Sequence, residues 1–188
     1  FESVADNREI RFVLDNELPE TYKVCFDEAE IEKVFFNLLS NAFKFTPSEG
    51  QVTIRVNTVT QAECELLPHF PAQYSSILVE AGYLFIEVID TGKGFSEQEA
   101  EKIFEPFYRS QEDIHRQISG TGIGLSLTRS IILQHNGCIW TESSETEGTR
   151  FMFLLPDTEK QEEGENESPV LSKSAEISKK FDLLVEET

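Results

Sequence analysis

One amphipathic helix constrains the fold of this chain more than any other feature of its sequence. Asp27 can cap a helix with its side-chain oxygen, and a periodic segment follows it to about Phe45. The apolar positions of this segment recur at intervals of three and four residues, at Ile31, Val34, Phe35, Leu38, Leu39, Ala42 and Phe43. Because that spacing places them on one face, the helix has to pack against a second layer of structure.

Strand signals lie on both sides of this helix. Residues 10–14 and 22–26 alternate before it, and strand-forming residues dominate 52–59 and 83–89 after it. Residues 120–124 open another helix that ends near Asn136 and Gly137, and strands over 138–142 and 150–155 complete the body. Ser96, with Glu99 three residues later, predicts a capped short helix. We predict an α+β fold, a two-layer α/β sandwich whose mixed sheet of about five strands carries three main helices on one face.

The 188 residues suggest one domain with tails. We assign residues 1–156 to the domain, with 60–82 as a polar, variable hairpin insertion, and 157–188 to an acidic linker or tail. Apolar residues recur at helical spacing within the tail, at Ile177, Phe181, Leu184 and Val185. They predict either a short amphipathic helix leading to another domain or an unstructured end.

Composition excludes several classes of function. The net charge of −19 argues against direct nucleic-acid binding, which needs clustered Lys and Arg. The three widely spaced cysteines form no Cys-x-x-Cys pair, so we expect a reducing, cytoplasmic setting. No apolar run approaches the ~20 residues of a membrane-spanning helix. We therefore expect any membrane attachment to come from other parts of the parent protein.

Asp90 and the glycines that follow it could bind a flat ring. Asp90 ends a strongly predicted strand, and Gly92 and Gly94 come directly after it. A carboxylate can accept a hydrogen bond from an exocyclic amine, while glycines let the backbone close around the ring. Taken alone, the same residues would also suit a simple turn.

A second glycine run, Gly120, Gly122 and Gly124, lies at a predicted helix start, where backbone N–H groups favour anions. It predicts either a polyphosphate loop or a hinge, and the lack of a preceding strand disfavours a dinucleotide fingerprint. On the first helix, Asn37, Asn41 and Lys44 form one stripe. Amide oxygens can bind Mg²⁺ and a lysine can meet phosphate, although a solvated polar edge has the same pattern.

Taken together, these segments resemble the boxes of the histidine kinase ATPase module, in the superfamily that includes DNA gyrase and MutL. The matching boxes are residues 37–47, 90–94, 104–109, 120–125 and 148–156, and the resemblance covers about residues 9 to 156. It implies the ATP-binding catalytic domain of a two-component sensor histidine kinase with a Bergerat-type ATPase fold. The cofactors implied are ATP and Mg²⁺.

The resemblance also implies roles for individual residues. Asn41 would ligate Mg²⁺, Asn37 and Lys44 would act at the triphosphate as the catalytic pair, and Asp90 would bind the adenine amine. The remaining residues expected at the nucleotide or its lid are Gly92, Gly94, Phe104, Phe107, Arg109, Gly120, Thr121, Gly122, Ile123, Gly124, Leu125 and Thr149. Phe104 and Phe107 would anchor a lid over residues 105–120, which we expect to be mobile until nucleotide binds.

Asn37 separates two kinds of activity. Gyrase-like members place a glutamate here as a general base, and an amide cannot accept the proton, so we expect slow hydrolysis and phosphate transfer to a protein. The resemblance implies an acceptor histidine on a dimerisation domain, and we expect structural roles for His69, His115 and His135. The expected partners are that domain, a response regulator receiver domain and a second copy of a homodimeric parent, and the acidic tail would suit a hybrid kinase. A nucleotide switch without phosphotransfer and a gyrase- or MutL-type ATPase are the alternatives.

Overall fold

The computed structural model describes residues 1–19, 22–79, 82–110, 120–144 and 146–157, together with the backbone of residues 175–176. Its strands are β1 (Arg11–Asn16), β2 (Lys23–Val24), β3 (Gln51–Thr60), β4 (Gly82–Asp90), β5 (Cys138–Ser144), β6 (Gly148–Pro156) and β7 (Ala175–Glu176). Its α-helices are α1 (Glu2–Asn7), α2 (Glu28–Phe45), α3 (Gln61–Cys64) and α4 (Gly124–Gln134). Short 3₁₀ turns cover Ala72–Ile77, Glu97–Glu99 and Lys102–Phe104.

Five of these strands form one mixed sheet in the order β1-β3-β4-β6-β5. The edge strand β1 runs parallel to β3, and the other neighbours are antiparallel. The long helix α2 connects β1 and β2 to β3, and it packs with α4 against one face of the sheet, here called the inner face. The α+β fold predicted from the sequence is confirmed, with α2 and α4 as its two long helices in the described residues.

The predicted amphipathic helix is α2, and both of its ends are held by side chains. Asp27 accepts a hydrogen bond from the N–H of Glu30 at 3.2 Å, which satisfies a free donor at the first turn. At the other end, Arg8 donates to the carbonyl oxygens of Phe43 and Thr46, which lie in the last turn. All seven apolar positions predicted to face the core are buried.

Helix α4 ends as its sequence predicts. Asn136 adopts the left-handed conformation with a φ of 56°. The N–H of Gly137 then bonds the carbonyl oxygen of Ile132 at 2.9 Å, and the N–H of Asn136 bonds that of Leu133 at 3.0 Å. This pair of bonds is a Schellman motif, which satisfies the last carbonyl groups and turns the chain into β5.

The segment between β3 and β4 is not the polar loop that its composition suggests. It joins two antiparallel strands, but α3 and the turn Ala72–Ile77 lie against the outer face of the sheet. A second hydrophobic cluster forms there, from Cys64, Tyr74, Leu78, Tyr83, Phe85, Cys138, Trp140, Met152 and Leu154. We call residues 61–79 the outer cover. It adds a local third layer to the predicted two-layer sandwich.

Two hydrogen bonds attach the outer cover to β5. The indole N–H of Trp140 donates to the carbonyl oxygen of Pro68 at 3.0 Å. The hydroxyl of Tyr74 donates to the carbonyl oxygen of Ile139 at 3.2 Å. Both bonds join a buried aromatic side chain to backbone, so they fix the cover's position as well as its distance from the sheet.

Beyond the cover, the outer face carries a row of charges across the strands. Arg55 on β3 bonds Asp15 on β1 at 3.0 Å and Glu87 on β4 at 3.2 Å. Arg150 on β6 lies 3.6 Å from Glu87 and 3.9 Å from Glu142 on β5. Opposite charges therefore alternate from one edge of the sheet to the other, and cross-strand pairs of this kind stabilise the register.

The cysteines are free thiols, and two of them are buried in the second cluster. Burial raises the pKa of Cys64 to about 11 and that of Cys138 to about 12. Such thiols stay protonated at neutral pH, so they behave as small apolar residues.

One predicted strand is shorter than expected, and two other predictions concern residues outside the described ranges. Strand β2 is two residues long where residues 22–26 were expected, and it pairs with β7 rather than with the main sheet. The predicted helix over 177–185 and most of the expected lid lie outside the described residues. Among the described helices, none is both long and apolar enough to cross a bilayer.

Candidate functional site

Asp90 ends β4 on the inner face and is buried. Its Oδ1 atom accepts a hydrogen bond from the N–H of Gly92 at 2.8 Å. Burial raises the pKa of Asp90 to about 6, and hydrogen bonds from the backbone of Gly92 and Thr149 partly oppose that rise. The carboxylate is thus held in a fixed orientation by backbone donors, as an acceptor that reads an exocyclic amine must be.

The loop after Asp90 is pressed against the β5–β6 turn, and glycines make this approach possible. Gly94 has a φ of 61°, and a Cβ at this position would lie 2.0 Å from the carbonyl oxygen of Ser144. Gly148 has a φ of 91°, and its Cβ would lie 2.0 Å from the carbonyl oxygen of Asp90. Any side chain at either position would push the two backbones apart. Thr149, which the sequence places at the adenine end, pairs directly with Asp90 across β4 and β6.

Two other groups of predicted site residues, the polar stripe of α2 and the glycine run 120–124, lie next to each other. The side-chain amide of Asn37 donates to the carbonyl oxygen of Gly124 at 3.4 Å. A Cβ on Gly120 would lie 3.3 Å from the Nζ atom of Lys44. The glycine run 120–124 therefore lies directly beside the polar stripe of α2, although some eighty residues separate them in the sequence.

The Asp90 loop meets the same helix at its last turn. A Cβ on Gly92 would lie 2.8 Å from the carbonyl oxygen of Phe45, the final residue of α2. Asn41 lies between Asn37 and Lys44 on the helix and is half-buried. The Asp90 loop, the polar stripe of α2 and the glycine run 120–124 thus converge along one edge of α2. The buried Asp90 carboxylate lies at one end of this edge, and Lys44 lies between it and Asn41.

Phe104 and Phe107, both expected at the lid, have different surroundings. Phe104 is buried, with its ring 6.2 Å from that of Phe151 and 5.7 Å from the guanidinium carbon of Arg129. The side chain of Phe107 is 73% exposed, and its backbone has a φ of 66°. What holds Phe107 is its N–H, which donates to the carbonyl oxygen of Gly122 at 2.8 Å.

The remaining predicted residues lie around the start of α4. Thr121 is exposed, Gly122 is half-buried, and Ile123 is an exposed residue at the N-cap of α4. Leu125 is half-buried and packs against the main core. Arg109 lies at the end of a described range, and residues 111–119 beyond it are outside the described residues.

Lys93 is a candidate that the sequence analysis did not single out. Its Nζ atom lies 5.5 Å from the centre of the Phe45 ring, and that of Lys44 lies 4.9 Å from the same centre. Two ammonium groups therefore share one aromatic ring at the end of α2. Its position between the two glycines of the Asp90 loop could have indicated in the sequence that it lies at the site.

Comparison with known proteins identifies this arrangement. Residues 26–159 match the family described as histidine kinase-, DNA gyrase B- and HSP90-like ATPase, which is most of the chain. The chain belongs to this ATPase family. The match spans α2, the Asp90 loop, the glycine run 120–124 and the β5–β6 pair, which are the elements that form the candidate site.

Curated relatives within the family are sensor kinases. The chain is 32% identical over 145 residues to sensor histidine kinase WalK of Bacillus subtilis, and 36% identical over 162 residues to sensor kinase CckA of Brucella abortus. These matches cover 77% and 86% of this chain but only 21% and 16% of the relatives. The chain thus corresponds to one part of a much longer kind of protein.

Solved structures agree with this assignment. The catalytic domain of histidine kinase ThkA, in a nucleotide-free form, has a TM-score of 0.63 at 26% identity, covering 84% of this chain and 85% of that one. A structure of ThkA in complex with the response regulator protein TrrA has a TM-score of 0.59 at 28% identity, covering 84% of this chain and 37% of that one. The fold is that of histidine kinase catalytic domains.

Proposed function

We propose that this chain is the ATP-binding catalytic domain of a two-component sensor histidine kinase. It binds Mg²⁺-ATP along the edge of α2 and transfers the γ-phosphate to a histidine on a dimerisation domain of its parent protein. The observation that carries the proposal is the convergence of Asp90, the α2 stripe and the glycine run 120–124 in one place.

The donor set fits an adenine nucleotide. The buried Asp90 carboxylate, fixed by the N–H of Gly92, is an acceptor for the adenine amine. Along the stripe of α2, Lys44 and the backbone N–H groups at the start of α4 supply positive charge for the phosphates. Asn41 lies between Lys44 and Asn37 and would hold Mg²⁺ together with phosphate oxygens, because Mg²⁺ takes few protein ligands and retains several waters.

Asn37 favours transfer over hydrolysis. Its amide faces Gly124 at the start of α4, so it lies at the phosphate end of the site. An amide cannot take a proton from water, so the general base that a hydrolase needs is missing from this position. A nucleophile that needs little activation by this domain, such as an imidazole from another domain, is the acceptor that this arrangement suits.

The parent protein supplies the rest of the pathway in this proposal. The acceptor histidine belongs to a dimerisation domain, which makes the parent a homodimer, and the phosphate then passes to the receiver domain of a response regulator. ThkA, with a response regulator among its solved complexes, supports that last step. The domain acts on the cytoplasmic side of the membrane, and the acidic residues 157–188 lead toward a further domain, as in a hybrid kinase.

A trans-phosphorylation assay tests the proposal. The adjacent helical hairpin of the parent, made separately, is mixed with this chain, Mg²⁺ and ATP labelled on the γ-phosphate. We expect label on the hairpin histidine, and we expect Asn41→Asp to lower the rate by about 100-fold because a carboxylate repels the phosphates and changes the metal site.

The matched control is Asn16→Asp. Asn16 is at the far end of β1, where its Oδ1 accepts from the N–H of Leu18 at 3.1 Å, and an aspartate keeps that acceptor. This variant makes the same charge change away from the site and should transfer phosphate at the wild-type rate. Nucleotide binding without any label on the hairpin would indicate a switch, and fast phosphate release into water would indicate an ATPase of the gyrase type.

A further inference from the structure

The segment that joins the Asp90 loop to residues 104–109 is held at its start by a hydrogen bond at the adenine end of the site. The N–H of Phe95 donates to the Oγ atom of Ser143 at 2.9 Å. That hydroxyl lies 3.0 Å from the carbonyl oxygen of Gly148 and 3.1 Å from the Oγ1 atom of Thr149. Because Thr149 pairs with Asp90, residue 95 is fixed relative to the adenine-binding carboxylate.

One carboxylate then joins the two ends of this segment. Oε2 of Glu99 accepts from the hydroxyl of Ser96 at 2.9 Å and from its N–H at 3.3 Å. Oε1 of the same residue accepts from the phenol of Tyr108 at 2.9 Å. The predicted pair of Ser96 and Glu99 is therefore present, with the Ser96 hydroxyl as donor rather than acceptor. Glu99 also binds Tyr108, which the sequence did not predict.

Tyr108 lies directly against the glycine run that the proposed function assigns to the phosphates. Gly122 has a φ of 73°, and a Cβ there would lie 2.8 Å from the carbonyl oxygen of Tyr108. The neighbouring N–H of Phe107 donates to the carbonyl oxygen of Gly122 at 2.8 Å. The backbone of residues 107–108 is thus the surface on which Gly122 rests.

We propose that Glu99 and Tyr108 are positioning residues that hold the glycine run 120–124 in place for the triphosphate. The inference rests on the proposed function. The phenol-to-carboxylate bond is a charge-assisted hydrogen bond, which is stronger than a neutral one. It fixes Tyr108, Tyr108 fixes Gly122, and the N–H groups at the start of α4 are presented in the position where they bind phosphate. Asp90 reads adenine without this bond.

The effect should therefore fall on the phosphates and spare the adenosine part of the ligand. Tyr108→Phe removes only the hydroxyl, and we expect it to weaken Mg²⁺-ATP binding by about tenfold in calorimetry. Adenosine binding, measured by NMR titration, should change by less than about twofold, because none of its contacts depends on the glycine run.

Tyr74→Phe is the matched control. Tyr74 also donates its hydroxyl to a protein oxygen, that of Ile139, but on the outer face of the sheet. Its loss should lower the thermal unfolding temperature and leave the affinities for ATP and adenosine as in the wild type.

Variants of the acceptor show whether the bond itself matters. Glu99→Ala should reproduce the loss of ATP affinity, and Glu99→Gln, which keeps a neutral acceptor, should restore part of it. The double variant Glu99→Ala with Tyr108→Phe should lose no more ATP affinity than Glu99→Ala alone, because both changes break one bond.

Two results would overturn the inference while the proposed function stands. One is a Tyr108→Phe variant that binds ATP like the wild type, and the other is a variant that loses ATP and adenosine affinity equally. A wild-type chain that binds neither ligand would overturn the proposed function, and this inference with it.

Discussion

Glu87 and Asp90 lie three positions apart on β4, and each is 4% exposed, but their partners differ. Glu87 faces outward and accepts from Arg55, with Arg150 on its other side. Asp90 ends the strand on the inner face, where the backbone N–H groups of Gly92 and Thr149 donate to its carboxylate. Strand β4 thus carries two buried carboxylates. Glu87 is paired with cations, and Asp90 is held by backbone N–H groups.

This difference separates a structural charge from one that serves a ligand. Removing a carboxylate from water costs free energy, and two arginines offset that cost at Glu87. At Asp90 the cost is visible as a pKa raised to about 6. A group that destabilises the folded protein at neutral pH, in a place lined by glycines, has a use that the folded chain alone does not explain.

The largest expected effect is on ligand binding at Asp90. In an Asp90→Asn variant the single amide oxygen would serve the N–H of Gly92, so the amide nitrogen would face the adenine amine. Two donors repel each other, and we expect Mg²⁺-ATP affinity measured by calorimetry to fall by about 100-fold. An affinity within a few-fold of the wild type would show that Asp90 does not read adenine.

Stability should change in the opposite direction. Since burial raises the pKa of Asp90 from 3.8 to about 6, the folded protein keeps a proton that the unfolded chain has released between those pH values. The stabilising contribution of this bound proton is complete below pH 3.8 and is lost as the pH rises through about 6. At pH 7.5 the Asp90→Asn variant should therefore be more stable to denaturant, by about 2 kcal/mol.

At Glu87 we expect the opposite pattern, a loss of stability without a loss of ATP affinity. Replacing Arg55 and Arg150 together by Met leaves the Glu87 carboxylate buried without either cation. We expect the free energy of unfolding in urea to fall by about 3 kcal/mol, with ATP affinity unchanged, because breaking a buried ion pair leaves an uncompensated charge.

Adding Glu87→Met to that pair is the matched control. The triple variant removes the charge as well as its partners and should regain most of the lost stability. If the double variant were as stable as the wild type, or if the triple variant were no better than the double, Glu87 would not depend on its arginines. The contrast between the two carboxylates would then fail.

The smallest expected effect is a pH dependence that belongs to Asp90. With a pKa of about 6 in the free protein, most of its carboxylate is ionised at pH 7.5 and about a quarter at pH 5.5. Adenosine has no group that titrates in this range, so its affinity should fall by about fourfold between the two pH values. A flat profile, or the same profile in the Asp90→Asn variant, would place the titrating group elsewhere.

Sequence patterns were sufficient where local chemistry decides structure. The period of α2, its Asp27 cap and the Asn136 stop of α4 are all properties of adjacent residues, and each is confirmed. Thr149 beside Asp90 was also predicted, through the resemblance rather than through any local rule. The convergence of Asn37, Lys44 and the glycine run is long-range, and only the order of the boxes indicated it.

The failures are tertiary. Residues 61–79 contain glutamates and prolines among short apolar runs, so no period reveals Cys64, Tyr74 and Leu78 as buried. Phe104 and Phe107 have the same chemistry, so the sequence could not separate the buried ring from the one that is 73% exposed. The bond between Glu99 and Tyr108 joins residues nine apart across irregular chain, where no spacing rule applies.

The outer cover also sets a rule for how relatives of this chain can diverge. Its apolar contacts lie on the sheet face opposite α2, with six partners on the strands, Tyr83, Phe85, Cys138, Trp140, Met152 and Leu154. A lineage that deletes residues 61–79 would expose this whole set to water, while one that lengthens the exposed tip near Leu66 would disturb nothing. Among relatives, the length of the cover and the polarity of those six positions should therefore change together.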